Sequence, residues 1–525
     1  VVNQKLISAA IWIASLILVP LALTNGLEGN FLPLMVVGGL SFLLFVFFVL
    51  KDGSCVLPIL GTFVIGKLNF LPFGLTATAI FTLGLIIYYF FGYFTLKQRS
   101  VSPGPVFLFL PILVITAIVA YHNRKIGLHA FGSSAEGSRP GLLMLLGAAG
   151  YICGTSISPP SASFLSRLPW YCVFVGVLTS LPDVITTFFP SLAPYFYYLT
   201  TQVNIGAYLE AEGFGSDVTR AGGLGGIGLY LEAALLAYYP IHTWWRPFRW
   251  WVPILFIFSL GGCVYGGYRS TVLLFGVVFL LGTWCYYTWR TLFILPVALL
   301  GILGLSLCVQ NGMDLPLSVQ RSLSFLPGKW DAAVMGSTES SNKFREDIKN
   351  VYIREELYKS PWLGNGFVFD TAQADMLDVL SRNDTTPDHY YLAKSFIFSK
   401  TFHVGWISLY DAIGLIGGGA FIALGLGMIG MAARFVWNQA DVRASLFPLK
   451  VWLFCGITRE FMGYFTVFGD VRDSFPVICA YAIILTQLDR VERAWNLKTI
   501  IPPVQQRKDI RNPGRIVPQP SLPSA

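Results

Sequence analysis

The chain is built from long apolar runs broken by short polar interruptions, and the runs have the length that crosses a lipid bilayer. A helix needs about 20 mostly apolar residues to span the hydrocarbon core. Runs approaching that length occur at 6–24, 31–50, 54–70, 73–95, 104–121, 140–158, 168–189, 222–239, 251–267, 270–288, 291–309, 404–433, 447–468 and 472–487. The pair 54–70 and 73–95 is joined by the tight connection Asn69-Phe70-Leu71-Pro72, so one member could be re-entrant. The pattern predicts an all-α, polytopic helical bundle of about 12–14 spans. Residues 1–309 carry the first eleven spans, 310–403 form one large loop, 404–487 hold the last spans, and 488–525 form a basic, Pro-rich tail. Such a tail has the composition of a disordered segment. The first run follows a near-neutral start with a single Lys5 and has no small-residue cleavage site, so it is expected to be a retained span. No internal repeat of fixed period is visible.

Composition sharpens this reading. Only 12% of residues are charged while 54% are hydrophobic. A soluble domain carries about twice that charge, so a water-soluble enzyme is excluded. The apolar runs are continuous rather than alternating, which argues against an outer-membrane barrel. The eight cysteines fall in or beside apolar runs, none in a C-x-x-C pair, and read as small buried hydrophobes.

The net charge of +8 needs no nucleic-acid partner. Lys97 to Arg99, His242 to Arg249, Arg290, and Arg434 to Arg443 occupy alternate connections, and the tail is basic as well. Positive residues favour the cytoplasmic side, so both termini are expected inside. The opposite side then holds 190–221, the turn at Arg269, the segment 310–403 and 469–473, with Arg124 and Lys125 as exceptions to the trend. No cytoplasmic connection is large enough for a domain, so the chemistry is expected on the outer face.

Gly223-Leu224-Gly225-Gly226-Ile227-Gly228 fits a dinucleotide fingerprint to the letter, but no strand precedes it. Small residues opening a membrane helix instead predict close helix packing. The run Trp244 to Trp251 reads as an interfacial aromatic belt beside basic anchors. Asp183, Glu232, Arg459 and Glu460 are charges inside apolar spans, where each is costly. Arg459 and Glu460 are sequence neighbours that diverge by about 100° on a helix, so nothing in their spacing requires them to pair.

The long outer segment is the richest in chemistry. It runs through Gln320-Arg321-Ser322 and Phe344-Arg345-Glu346-Asp347 into an amphipathic helix expected to end near Tyr358. Lys359-Ser360-Pro361-Trp362-Leu363-Gly364-Asn365-Gly366 follows, and Phe402-His403-Val404 leads into the span that contains Gly414-Leu415-Ile416-Gly417. This ordered set resembles the bacterial O-antigen ligase and O-antigen polymerase superfamily, polytopic transferases of lipid-linked glycans. In that pattern an Arg opens a loop helix that ends in a Pro-x-x-Gly-x-Gly turn, and a His precedes a span near a Gly-Leu-Ile-Gly. Here Arg345 stands 16 residues before Pro361, and His403 stands 11 before Gly414. Tyr268-Arg269-Ser270-Thr271 and Arg220 are similar to further outer arginines of the pattern. The resemblance covers roughly 215–435 and departs from the pattern at Val404, at Lys349 and in the span after Arg220.

The resemblance implies an inner-membrane glycosyltransferase with its active site facing the periplasm. Its donor would be a glycan on undecaprenyl diphosphate, and its acceptor a glycan or lipid A-core sugar, with membrane lipid around it. The residue types suit that reaction. Guanidinium groups stay protonated and grip phosphate bidentately, so Arg345, Arg269 and Arg220 are the expected diphosphate ligands. His403 is the expected base for the acceptor hydroxyl. His389 and Arg321 are secondary candidates. No Asp-x-Asp motif is visible on the outer face, so a reaction without metal or cofactor is expected. A polymerase on the same scaffold is the alternative, and a lipid-linked sugar transporter or flippase a more distant one.

Overall fold

The computed structural model describes residues 53–64, 76–96, 104–123, 138–192, 221–293, 315–367, 390–400, 404–438 and 445–500, together with 301, 304, 376, 377, 379, 380 and 402. Fifteen helices and no strand occur among the described residues. They are α1 (Leu57–Thr62), α2 (Ala77–Leu96), α3 (Val106–Asn123), α4 (Ser138–Ser156), α5 (Ala162–Leu165), α6 (Leu168–Phe188), α7 (Gly222–Tyr238) and α8 (Trp251–Tyr265). There follow α9 (Arg269–Tyr287), α10 (Leu317–Leu323), α11 (Ala332–Glu355), α12 (Tyr390–Phe398), α13 (Gly405–Trp437), α14 (Phe447–Gly463) and α15 (Val471–Ile500). The helices α3, α6, α9, α13 and α15 are long and apolar enough to cross a membrane, and α7, α8 and stretches of α2 and α4 are shorter apolar helices. The runs 6–24 and 31–50, most of 291–309, and the tail beyond Ile500 lie outside the described residues.

One expected span takes a different form. After a 3-10 turn at Ser54–Val56, α1 stops at Thr62. Phe63 N and Val64 N then bond back three residues, to Leu60 O and Gly61 O. Six residues rise only about 9 Å, so 54–70 is not one crossing helix. Instead α1 is a short buried helix, and Gly61 explains its seat: a Cβ there would lie 2.8 Å from Thr78 Cα on α2.

The centre of the bundle is α14 and α15. Trp452 and Tyr481 are fully buried there, their rings 6.1 Å apart, and Phe63 stacks on Trp452 at 5.7 Å. The outer helices turn large apolar side chains outward, among them Leu110 on α3 and Ile257 and Phe258 on α8. A bundle with such a surface suits a hydrocarbon solvent. The glycine run of α7 is a packing face. A Cβ on Gly228 would lie 2.5 Å from Ser259 O, and Ser259 Oγ donates to Gly228 O at 2.5 Å.

Contacts sort the helix ends into two groups. At one end the start of α13 meets the residues after α14, through Tyr464 OH to Gly405 O at 2.9 Å, and the tip of α6 meets α8, with Phe188 stacked on Tyr265. At the other end Gln487 Nε2 of α15 donates to Gly154 O and Ile157 O at the end of α4, at 2.6 and 3.1 Å. Arg490 adds a bond to Thr155 O. These two side chains satisfy carbonyls that the end of a helix leaves open. Between the ends, Arg459 is buried and pairs with its neighbour Glu460, a pairing that their angular spacing left open. Both side chains are long enough to reach around the helix, and an unpaired guanidinium would be costly there. The same guanidinium lies 5.3 Å from the Tyr230 ring centroid.

Candidate functional site

The site is built on α11. Asp331 caps this helix, its carboxylate accepting from Ala333 N at 2.8 Å. Because the helix begins at that cap and the helix-forming Ala332-Ala333, Arg345 lies mid-helix and does not open it as the family pattern suggested. The helix ends at Glu355, a little before the expected Tyr358.

Three of the arginines singled out in the sequence gather along α11. Arg269, at the start of α9, donates from Nη2 to Asn342 Oδ1 at 3.2 Å. Arg321 on α10 is buried and donates to Ser337 Oγ at 2.7 Å. Arg345 follows Asn342 by three residues, hence on the same side of the helix. Arg220, His389 and His403 lie outside the described residues.

An adjoining stripe of α11 is apolar and makes a small core of its own. Ile348, Val351 and Tyr352 pack with Ala393 and Ile397 of α12, with Phe402, and with Ile407 at the start of α13. Phe344 meets Phe396 edge-on at 4.8 Å. Lys394 bridges back to Glu355 at 3.0 Å and donates to Tyr390 OH at 2.7 Å. Those bonds from Lys394 and Tyr390 outweigh burial and hold the Glu355 carboxyl below its ordinary range.

Below this unit, the Pro361–Gly366 turn docks into a break in α13. At Gly414 the helix leaves helical geometry, with φ 64° and ψ −166°. The amides of Leu415 and Ile416 lose their helical acceptors and donate instead to Pro361 O and Trp362 O, at 2.9 and 3.1 Å. In return the freed carbonyl of Asp411 accepts from Asn365 N at 2.5 Å. The approach is possible only between glycines. Gly364 has φ 77°, and a Cβ on it would lie within 2.7 Å of Asp411 O, Ile413 N and Gly414 N. Gly366, with φ 74°, sits against the His122 ring of α3, whose Nε2 donates to Leu363 O at 2.8 Å. The Pro-x-x-Gly-x-Gly and Gly-Leu-Ile-Gly motifs are therefore two halves of one joint.

At the joint Asp411 is almost fully buried. Its Oδ1 accepts from Asn365 Nδ2 at 2.7 Å and lies 3.4 Å from Tyr352 OH, and its Oδ2 accepts from Lys400 Nζ at 2.6 Å. Burial, and then this carboxylate, push the Tyr352 hydroxyl far above the ordinary tyrosine range, so it stays a donor. The backbone of Lys400, with φ 58°, accepts from Arg472 Nη2 at 3.0 Å. Sequence reasoning passed over Asp411, although a carboxylate inside an apolar span was the signal already applied to Asp183 and Glu232. His122, Asn342 and Lys400 carried no signal of their own.

The chain matches no protein-family model and no curated protein.

Proposed function

We propose that this protein is a membrane glycosyltransferase that moves a glycan from undecaprenyl diphosphate to an acceptor hydroxyl, as an O-antigen ligase does with lipid A-core. It would work as a multi-pass protein of the bacterial inner membrane, with the active site on the periplasmic face. One observation carries the reading. The separate sequence pieces that suggested it meet in part: the glycine turn interlocks with the Gly414 break, and the helix that leads into that turn takes a bond from Arg269 at Asn342, three residues before Arg345. The basic connections at the other end of the bundle support a cytoplasmic side there.

In the reaction the acceptor oxygen attacks the anomeric carbon, and the bond from that carbon to the diphosphate oxygen breaks. His403 takes the hydroxyl proton. The electron pair leaves with the lipid diphosphate, whose growing negative charge is met by Arg345, Arg269 and Arg220, with Arg321 behind them. The polyprenyl chain lies against the apolar outer surface of the bundle. No step requires a metal ion.

Deletion of the gene tests the reading. Cells without the protein should accumulate glycan on undecaprenyl diphosphate and lose surface polysaccharide. Long chains stranded on the carrier mark a lost ligase, and single repeats on lipid A-core a lost polymerase. Normal polysaccharide with altered uptake of a small solute would instead favour a transporter and overturn the proposal.

A further inference from the structure

The buried carboxylate of Asp411 is not needed for any chemical step above, yet it joins three separate parts of the site. Through Tyr352 it reaches α11, two turns beyond Arg345 on the same side of the helix. Through Asn365, by both side chain and backbone, it holds the glycine turn. Through Lys400 it ties down the segment that leads into α13. Each partner comes from a different stretch of the loop, and all three meet one helical turn before the Gly414 break. We propose that Asp411 is a positioning residue: with Lys400 and Asn365 it locks the Arg345 helix, the glycine turn and the segment before α13 into one rigid unit. This rests on the glycosyl-transfer reading for its consequence, but not for its geometry.

The physical case is one of mutual satisfaction. Two carboxylate oxygens hold four lone-pair sites, and the described partners supply an ammonium, an amide and a phenol to them. Lys400 is held in a left-handed backbone conformation that a lysine adopts only when its surroundings fix it. Arg472 fixes it from the carbonyl side and Asp411 from the ammonium side. Removal of the carboxylate charge alone would leave a largely buried ammonium without its counter-charge, which disturbs a site more than loss of both charges together. Lateral errors of about 1 Å in a reacting group cost on the order of 10²-fold in rate. A displaced α11 would therefore lower turnover more than it weakens a donor still gripped by several arginines.

The test uses the full chain, purified in lipid nanodiscs, with undecaprenyl-diphosphate glycan as donor. Asp411→Asn keeps the shape and a bond to Asn365 but loses the ion pair. Its kcat should fall by roughly 10²-fold while the donor KM changes by less than about threefold. Lys400→Met should fall similarly, and the double variant Asp411→Asn/Lys400→Met should recover part of the loss, because no unpaired charge remains. Amide hydrogen exchange over 361–367 should quicken in Asp411→Asn. A kcat near wild type in Asp411→Asn overturns the proposal, and so does a loss that only follows the folded fraction read by melting, with no recovery in the double variant. If the wild type itself transfers no glycan, the reaction assigned above fails. Exchange over 361–367 then still decides the lock: unchanged exchange in Asp411→Asn overturns it, and faster exchange upholds it.

Discussion

At the scale of residues, three glycines decide whether the joint can form. Gly364, Gly366 and Gly414 all have positive φ, and a Cβ at any of them would meet neighbouring atoms at 2.4 to 2.8 Å. Gly364→Ala should destabilise the protein by more than about 1 kcal/mol, from backbone strain added to the steric clash. Gly419→Ala, on the same helix but with open space around it, should be neutral or slightly stabilising. Melting of the two purified variants side by side checks this, and equal melting temperatures would remove the joint's importance. Arg345→Lys tests a different residue property. It keeps the charge but loses the planar fork, so donor binding and turnover should both stay impaired in a titration with lipid-linked donor. The glycine motifs and arginines were legible in the sequence because special backbone geometry and phosphate chemistry each demand one residue type. Asp411 was legible only as a carboxylate inside an apolar span, because its partners Tyr352, Asn365 and Lys400 lie up to 59 positions away.

At the scale of elements, α11 shows how one helix serves two masters. One stripe meets α9 through Asn342, and the adjoining stripe packs Phe344, Ile348 and Val351 against α12. The Lys394–Glu355 bridge strengthens that packing, and its pH dependence has a definite sign. The folded Glu355 carboxyl sits below its ordinary 4.5, so its contribution is complete above that value and is lost as pH falls through the folded value. Amide exchange in α12 should therefore quicken on acidification below about pH 4.5 while α14 stays protected, and an α12 indifferent to acid would contradict the bridge. Hydrophobic runs made nearly every long helix readable, and the helices from α2 to α9, apart from the short α5, fall where the runs do. They were ambiguous at α1, where an apolar run contains a helix that stops after six residues and packs against α2 at Gly61. The start of α11 was hidden for another reason: a polar helix carries little hydropathic signal, and its Asp331 cap marks the boundary instead.

At the scale of the whole molecule, the contacts place α11 and its arginines at one end of the bundle, and Gln487 and Arg490 at the other. Cysteines introduced as Ser340→Cys and Gln439→Cys should label from opposite sides of intact cells, and the described native cysteines, all buried, should stay silent. Labelling of both from one side would end the topology and the mechanism together. The central claim is glycosyl transfer with His403 as base and arginines in place of a metal. The most direct measurement is product formation by the purified chain from undecaprenyl-diphosphate glycan and acceptor, with EDTA present, for wild type and His403→Ala. The account predicts wild-type transfer undiminished by EDTA, and a folded His403→Ala protein that binds donor normally but turns over roughly 10²- to 10⁴-fold more slowly. Near-normal turnover by His403→Ala, or wild-type activity lost to EDTA and restored by Mg²⁺, would contradict it.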